Sequence, residues 1–134
     1  MKANLKKMLS LTALSMALLT NTVPTWAGSV SNAQVKIVRT DKIYVSGALA
    51  TARYSADSRQ YIGCRVSAYD NGSRSATCAA QTSTDDLASC STSDPKLIEK
   101  IQKMTDSSYV KFAMGSTTAA CTDISIANSS ARLR

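Results

Sequence analysis

The 134-residue chain contains no histidine. That absence excludes a Ser-His-Asp triad, a Cys-His dyad and any metal site built on imidazole ligands. It also removes the side chain most often used for proton transfer near neutral pH. The four cysteines form no CxxC pair, the spacing common to zinc sites and redox-active thiols. Phenylalanine occurs once and tryptophan once, at Trp26, so the core must be built from smaller side chains. No apolar run reaches the roughly 20 residues a spanning helix needs.

The first 27 residues have the order of a secretory signal. Lys2, Lys6 and Lys7 are followed by an apolar run, 8–19, and then by a polar end with Pro24 that closes on the small residue Ala27. The expectation is a leader cleaved after Ala27, its lysines held on the inner side of the membrane. Removing 1–27 leaves 107 of the 134 residues, the length of one small domain. That part, 28–134, is expected to be periplasmic or extracellular and to lack a membrane span. It retains 13 of the 16 basic residues against 9 acidic ones, a net charge of +4. These charges are scattered along the chain, whereas a nucleic-acid binder concentrates them on one face. No nucleic-acid partner and no cofactor are expected.

Abundant serine and threonine, short apolar runs and many β-branched residues point to a β-rich domain with one helix. Strands are expected at 34–39, 43–49, 61–69, 73–81, 109–114 and 119–127. The segments 51–59 and 82–93 read as polar connections. The alternation at 61–69 is the clearest, with Ile62, Cys64, Val66 and Ala68 on one face and Tyr61, Gly63, Arg65, Ser67 and Tyr69 on the other. Asp70-Asn71-Gly72 then turns the chain. A two-residue turn on Asn71-Gly72 would set Cys64 opposite Ala79. A three-residue loop with Gly72 left-handed sets Cys64 opposite Cys78, and it keeps the small apolar residues on one face, so it is preferred. The helix begins after Ser93 or Asp94, with Pro95 in its first turn, and Leu97, Ile98, Ile101 and Met104 share one face. Parity breaks between Cys121 and Ile124, which suggests a bulge. The expected fold class is α+β: an antiparallel β-sheet in the order β-β-β-β-α-β-β, with one amphipathic helix packed on one face and two disulfides as staples.

An even cysteine count in an exported domain reads as a disulfide framework. Four cysteines allow three pairings. The preferred register favours Cys64–Cys78 across the hairpin, with Cys90–Cys121 tying the start of the helix to the last strand.

Chemistry-bearing clusters are sparse. Asp85-Asp86 is the one adjacent carboxylate pair and reads as a capped helical turn rather than as a metal or acid–base site. Asp70-Asn71-Gly72 lacks the other ligand positions of a calcium loop. No catalytic residue and no metal ligand is expected. Tyr61, Arg65 and Tyr69 fall at every fourth residue of one strand, about 13 Å apart by strand rise. Such a stripe stacks on sugars or serves as a protein contact, and Arg59, Arg74 and Tyr44 are candidates to extend it.

The run Ala52-Arg53-Tyr54-Ser55-Ala56-Asp57-Ser58-Arg59-Gln60-Tyr61-Ile62-Gly63-Cys64, with Cys90, Asp94-Pro95, Asp106-Ser107-Ser108-Tyr109 and Cys121-Thr122, resembles a loose group of small exported bacterial proteins without an assigned activity. The resemblance implies a bacterial source and a paired-cysteine scaffold, and it carries no functional residue across. The functional expectation is a non-enzymatic binding protein whose partner is a protein or a glycan. An inhibitor or toxin-like effector that inserts the 81–93 loop into a partner's cleft is the alternative, and a histidine-free hydrolase is the third reading.

Overall fold

The computed structural model describes residues 33–129. The expected leader and its cleavage site after Ala27 lie outside the described residues. The elements are β1 (Lys36–Arg39), β2 (Lys42–Ala48), α1 (Leu49–Arg53), β3 (Tyr61–Ala68), β4 (Arg74–Gln81), β5 (Leu87–Thr92), α2 (Pro95–Gln102), β6 (Tyr109–Gly115) and β7 (Cys121–Ala127). All strand pairs in the two sheets are antiparallel. No helix among the described residues is long and apolar enough to cross a membrane.

Where one sheet was expected, the strands form two. One has the order β1-β2-β6-β7 and the other β3-β4-β5. The added strand, β5, lies in the segment expected to be a polar connection. Its alternation uses small residues, with Ala88 and Cys90 buried and Leu87, Ser89 and Ser91 exposed. Residues of that size give a weak hydrophobic signal, which hides a strand. The other added element, α1, lies in a stretch expected to be strand end and loop. Its alanines favour helix, its Thr51 and Ala52 are buried, and Leu49 N donates to Ser108 O at 3.0 Å.

The two sheets differ in what they bring to the core. Across the four-stranded sheet the register aligns Ile37, Val45, Phe112 and Ile124 in one row. Across the three-stranded sheet the matching rows are Ile62, Ala80 and Ala88, then Cys64, Cys78 and Cys90. The large side chains thus come mainly from the four-stranded sheet, and apart from Ile62 and Val66 the three-stranded sheet supplies alanine and cysteine. The buried residues form one cluster, drawn from both sheets and from Ile98 and Ile101 of α2. Leu97 and Met104 pack against that cluster while half-buried, and α2 contacts β7, β3 and β4. Asp94 caps α2 by accepting from Lys96 N at 2.8 Å, with Pro95 in the first turn.

Gly47 of β2 sits opposite Val35, the residue before β1, and close to Ile62 of β3. A Cβ there would lie 3.1 Å from Val35 Cγ2, 3.2 Å from Val35 Cα and 3.4 Å from Ile62 Cγ2. The absence of a side chain lets these segments close. In β7 the register shifts so that Ala113 faces Asp123 and Met114 faces Cys121, leaving Thr122 as the extra residue. That bulge brings both Cys121 and Ile124 inward.

Cys64 is bonded to Cys78, and Cys90 to Cys121. The first bond lies within the three-stranded sheet. The second joins the two sheets at a point where Ser91 N also donates to Ala119 O at 2.8 Å. A second tie between the sheets is ionic: Arg39 Nη2 of β1 lies 2.6 Å from Asp86 Oδ1 in the β4–β5 turn, and it also donates to Leu87 O at 2.8 Å.

The segment between α1 and β3 is held by Asp57. Its carboxylate accepts from Gln60 Nε2 at 2.5 Å, Gln60 N at 2.9 Å and Arg59 N at 2.8 Å. Buried Gln60 passes the constraint on, its Oε1 accepting from Val35 N at 3.0 Å. The hydrogen bonds from Gln60 and Arg59 favour the ionised carboxylate and lower the pKa of Asp57 from 3.8 to about 2.

Two outcomes follow from these constraints. Replacing Cys90 and Cys121 together by alanine should lower the unfolding free energy by about 3–4 kcal/mol, the chain-entropy value for a loop of this length, measured by denaturant titration under oxidising conditions. A loss below about 1 kcal/mol would show that the inter-sheet bond is incidental. Because the Asp57 carboxyl has a lower pKa folded than unfolded, its contribution is complete above the unfolded value of 3.8 and is lost as pH falls toward about 2. Asp57→Asn should therefore flatten the stability–pH curve across that interval and reduce stability at neutral pH, as read from thermal unfolding between pH 2 and pH 7.

Candidate functional site

The β3–β4 hairpin places the stripe. Its register pairs Cys64 with Cys78, Ile62 with Ala80 and Val66 with Ala76. Tyr69 N donates to Ser73 O at 2.9 Å, which leaves Asp70, Asn71 and Gly72 as a three-residue loop with Gly72 at φ +81°. Asn71 Oδ1 accepts from Ser73 N at 3.0 Å and from Ser73 Oγ at 2.6 Å, which fixes the tip.

With Ile62 buried on the core side, the odd-numbered residues of β3 face outward. Tyr61 is 44% exposed and Tyr69 55%, and Arg65 between them is exposed. Arg65 makes no ion pair among the described residues. Gly63 opens the surface between Tyr61 and Arg65, since a Cβ built there meets nothing within 4 Å. The result is a shallow, open groove of about 360 Å³ lined by Tyr61, Ile62, Gly63, Cys64, Arg65, Thr77 and Ala79. Tyr69 Oη lies 3.3 Å from Ser75 Oγ, so this ring reaches toward β4.

The rest of this outer face is small and hydroxylated. Thr77 Oγ1 lies 3.0 Å from Ser91 Oγ, and Ala79 faces Ser89. At one end the register runs Tyr61, Gln81, Leu87. Leu87 is 56% exposed and completes an apolar end that the sequence reading missed, because its strand was not recognised. The face offers aromatic surface at both ends, a guanidinium near its middle and a plateau of hydroxyls. The Cys64–Cys78 bond braces the hairpin that carries it.

Of the three residues named as extensions, Tyr44 and Arg74 do not join this face, and Arg59 is tied up at its Tyr61–Gln81 end. Tyr44 belongs to the four-stranded sheet, where it pairs with Val38 and Ala113. Arg74 pairs with Ala68 and so has the core-side parity of Ala76. It lines a separate cleft of about 460 Å³ with Gly72, Ser93, Pro95, Ile98 and Glu99. Arg59 is engaged by Asp85, with Nη1 to Oδ2 at 2.8 Å.

The Asp85-Asp86 pair is structural. Asp85 Oδ1 accepts from Gln81 Nε2 at 2.8 Å while its other oxygen holds Arg59, and Asp86 holds Arg39. Asp86 N donates to Thr82 Oγ1 at 3.1 Å and Thr82 N to Asp86 O at 3.0 Å, which closes a hairpin turn rather than a helical one.

A second aromatic patch lies on the outer face of the four-stranded sheet. Tyr44, Tyr109, Lys111, Asp123 and Ser125 border a depression of about 290 Å³, with Lys111 Nζ 5.5 Å from the centre of the Tyr109 ring. Here the cation already has a ring partner within its own sheet, whereas Arg65 makes no ion pair among the described residues. Comparison with known proteins finds no matching protein family and no significant match among curated proteins or solved structures.

Proposed function

We propose that this protein is an exported, non-enzymatic binding protein of the bacterial envelope or extracellular space, and that it engages a protein or glycan through the outer face of β3, β4 and β5. The observation that carries this reading is the co-presentation of Tyr61, Arg65 and Tyr69 on one face of a hairpin braced by Cys64–Cys78. Exposed tyrosines supply large contact area at low entropic cost, and an arginine with no ion pair among the described residues is available to a ligand's carboxylate or ring. Two disulfides with no free cysteine among the described residues support an oxidising compartment.

The alternative inhibitor reading needs a long rigid loop at 81–93. Pairing of β5 with β4 takes most of that segment into the sheet and leaves the turn at 82–86, whose two carboxylates are engaged by Arg39 and Arg59. The face is therefore the better-supported contact surface.

Tyr61→Ala combined with Tyr69→Ala should reduce recovery of crosslinked partner from intact cells at least tenfold, while the thermal midpoint stays within a few degrees, because both rings are solvent-facing. Undiminished recovery from a folded double variant would remove the stripe as the site.

A further inference from the structure

The free edge of β3 has the features of a pairing surface for a second copy of this chain. Its hydrogen-bonding parity is fixed by the bond from Tyr69 N to Ser73 O. Odd-numbered residues of β3 exchange bonds with β4, so the N–H and C=O groups of Ile62, Cys64, Val66 and Ala68 point to the open side. Among the described residues no backbone or side-chain group bonds to that side.

The other sheet edges are managed. β1 has four residues, two of them charged, and its Arg39 is held by Asp86. β7 carries a bulge that interrupts its ladder, whereas α1 borders β3 only at its Tyr61–Ile62 end. β5 is met by residues 119–120 through the bridge between Ser91 and Ala120. β3 is eight residues long, keeps unbroken register, contains no proline and carries one charge. Such an edge pairs unless something guards it.

The outward residues decide the occupant. Along β3 they run large, empty, large, small, large: Tyr61, Gly63, Arg65, Ser67, Tyr69. In an antiparallel pairing centred on Val66, Val66 meets Val66 of the second copy and Cys64 meets Ala68. On the outer face Tyr69 of one copy then lies over the vacancy at Gly63 of the other, and Arg65 meets Ser67. An aromatic ring across from an edge glycine is a recognised stabilising pair, and Arg65 beside that ring gains a cation–π contact. Centring on Arg65 would instead oppose two guanidinium groups. Centring on Cys64 would bring the second copy against the end of β3 where α1 lies, since Leu49, Ala52 and Arg53 border Tyr61 and Ile62.

We propose that the oxidised protein self-associates through β3, forming a two-fold dimer with a continuous six-stranded sheet in the order β5-β4-β3-β3-β4-β5. This rests on reading the Tyr61–Arg65–Tyr69 face as a binding surface and names a second copy as one of its partners. An edge contact buries less than the roughly 800 Å² per partner of a standard stable interface, so association is expected at micromolar concentrations or above.

The test is sedimentation of the purified oxidised chain 28–134 from about 1 μM to about 1 mM, with amide exchange read at the high end. The expected result is a reversible monomer–dimer equilibrium with concentration-dependent protection of the Cys64, Val66 and Ala68 amides. Gly63→Val puts a branched side chain into the vacancy, at a position where a Cβ has no atom within 4 Å in the monomer, and should weaken association at least tenfold. Val66→Pro, which removes a donor pointing to the open side, should do the same. A monomer across the whole range overturns the inference, as does a dimer indifferent to both changes. If the chain is monomeric but Tyr61 and Tyr69 still govern partner recovery from cells, the proposed function stands and this inference alone falls.

Discussion

The bond between Cys90 and Cys121 is the constraint on which the arrangement depends. Among the described residues, the single bridge at Ser91 and Ala120 is the only backbone pairing between the three-stranded sheet and the segment leading into β7. Beyond Ile62 and Val66 the core face of that sheet is lined by alanine and cysteine, so the area it contributes per residue is small and its hydrophobic attachment correspondingly modest. A covalent tie, assisted by the Arg39–Asp86 contact at the far end of β5, compensates for that thin packing. The small side chains also have a positive role, since they let α2 and the larger residues Phe112 and Ile124 come close from the other side.

That attachment is what makes the outer face usable. A hairpin of this length is marginal alone, and its tip would fray. Here the hairpin is bonded across its own strands at Cys64 and Cys78, fixed at the tip by the Asn71–Ser73 contacts, and anchored through β5 to the other sheet. Tyr61, Arg65 and Tyr69 are thus displayed from a backbone that loses little further entropy on binding, which is where rigid presentation gains affinity. The same geometry leaves one edge of the sheet open.

The parts of the fold legible in the sequence were those set by strong local chemistry. The alternation at 61–69, the Gly72 turn and the matching small residues at 76, 78 and 80 fix one register, and that register is the one observed. Asp94 and Pro95 announced the start of α2. The parity break between Cys121 and Ile124 corresponds to the bulge at Thr122. What escaped was set by tertiary context. β5 alternates alanine and cysteine with serine, a pattern too weak to stand out from loop composition, and without β5 the split into two sheets was invisible. Arg74 was placed with the stripe although its parity puts it on the core side, and Tyr44 was placed there although strand order, which composition does not encode, sends it to the other sheet. Arg59 needed knowledge of the Asp85 turn. The exposed end formed by Leu87 was lost with its strand.

On the proposed function, ligand contact is made by the outer face of β3, β4 and β5. Amide NMR of the oxidised protein, titrated with the partner that crosslinking recovers, should show perturbations concentrated at Tyr61, Gly63, Arg65, Tyr69, Thr77 and Ala79, with the core rows Val45, Phe112 and Ile124 unmoved. Perturbations centred instead on Tyr44, Tyr109 and Lys111, or on the cleft between Arg74 and Glu99, would contradict it and move the functional surface to another face of the molecule.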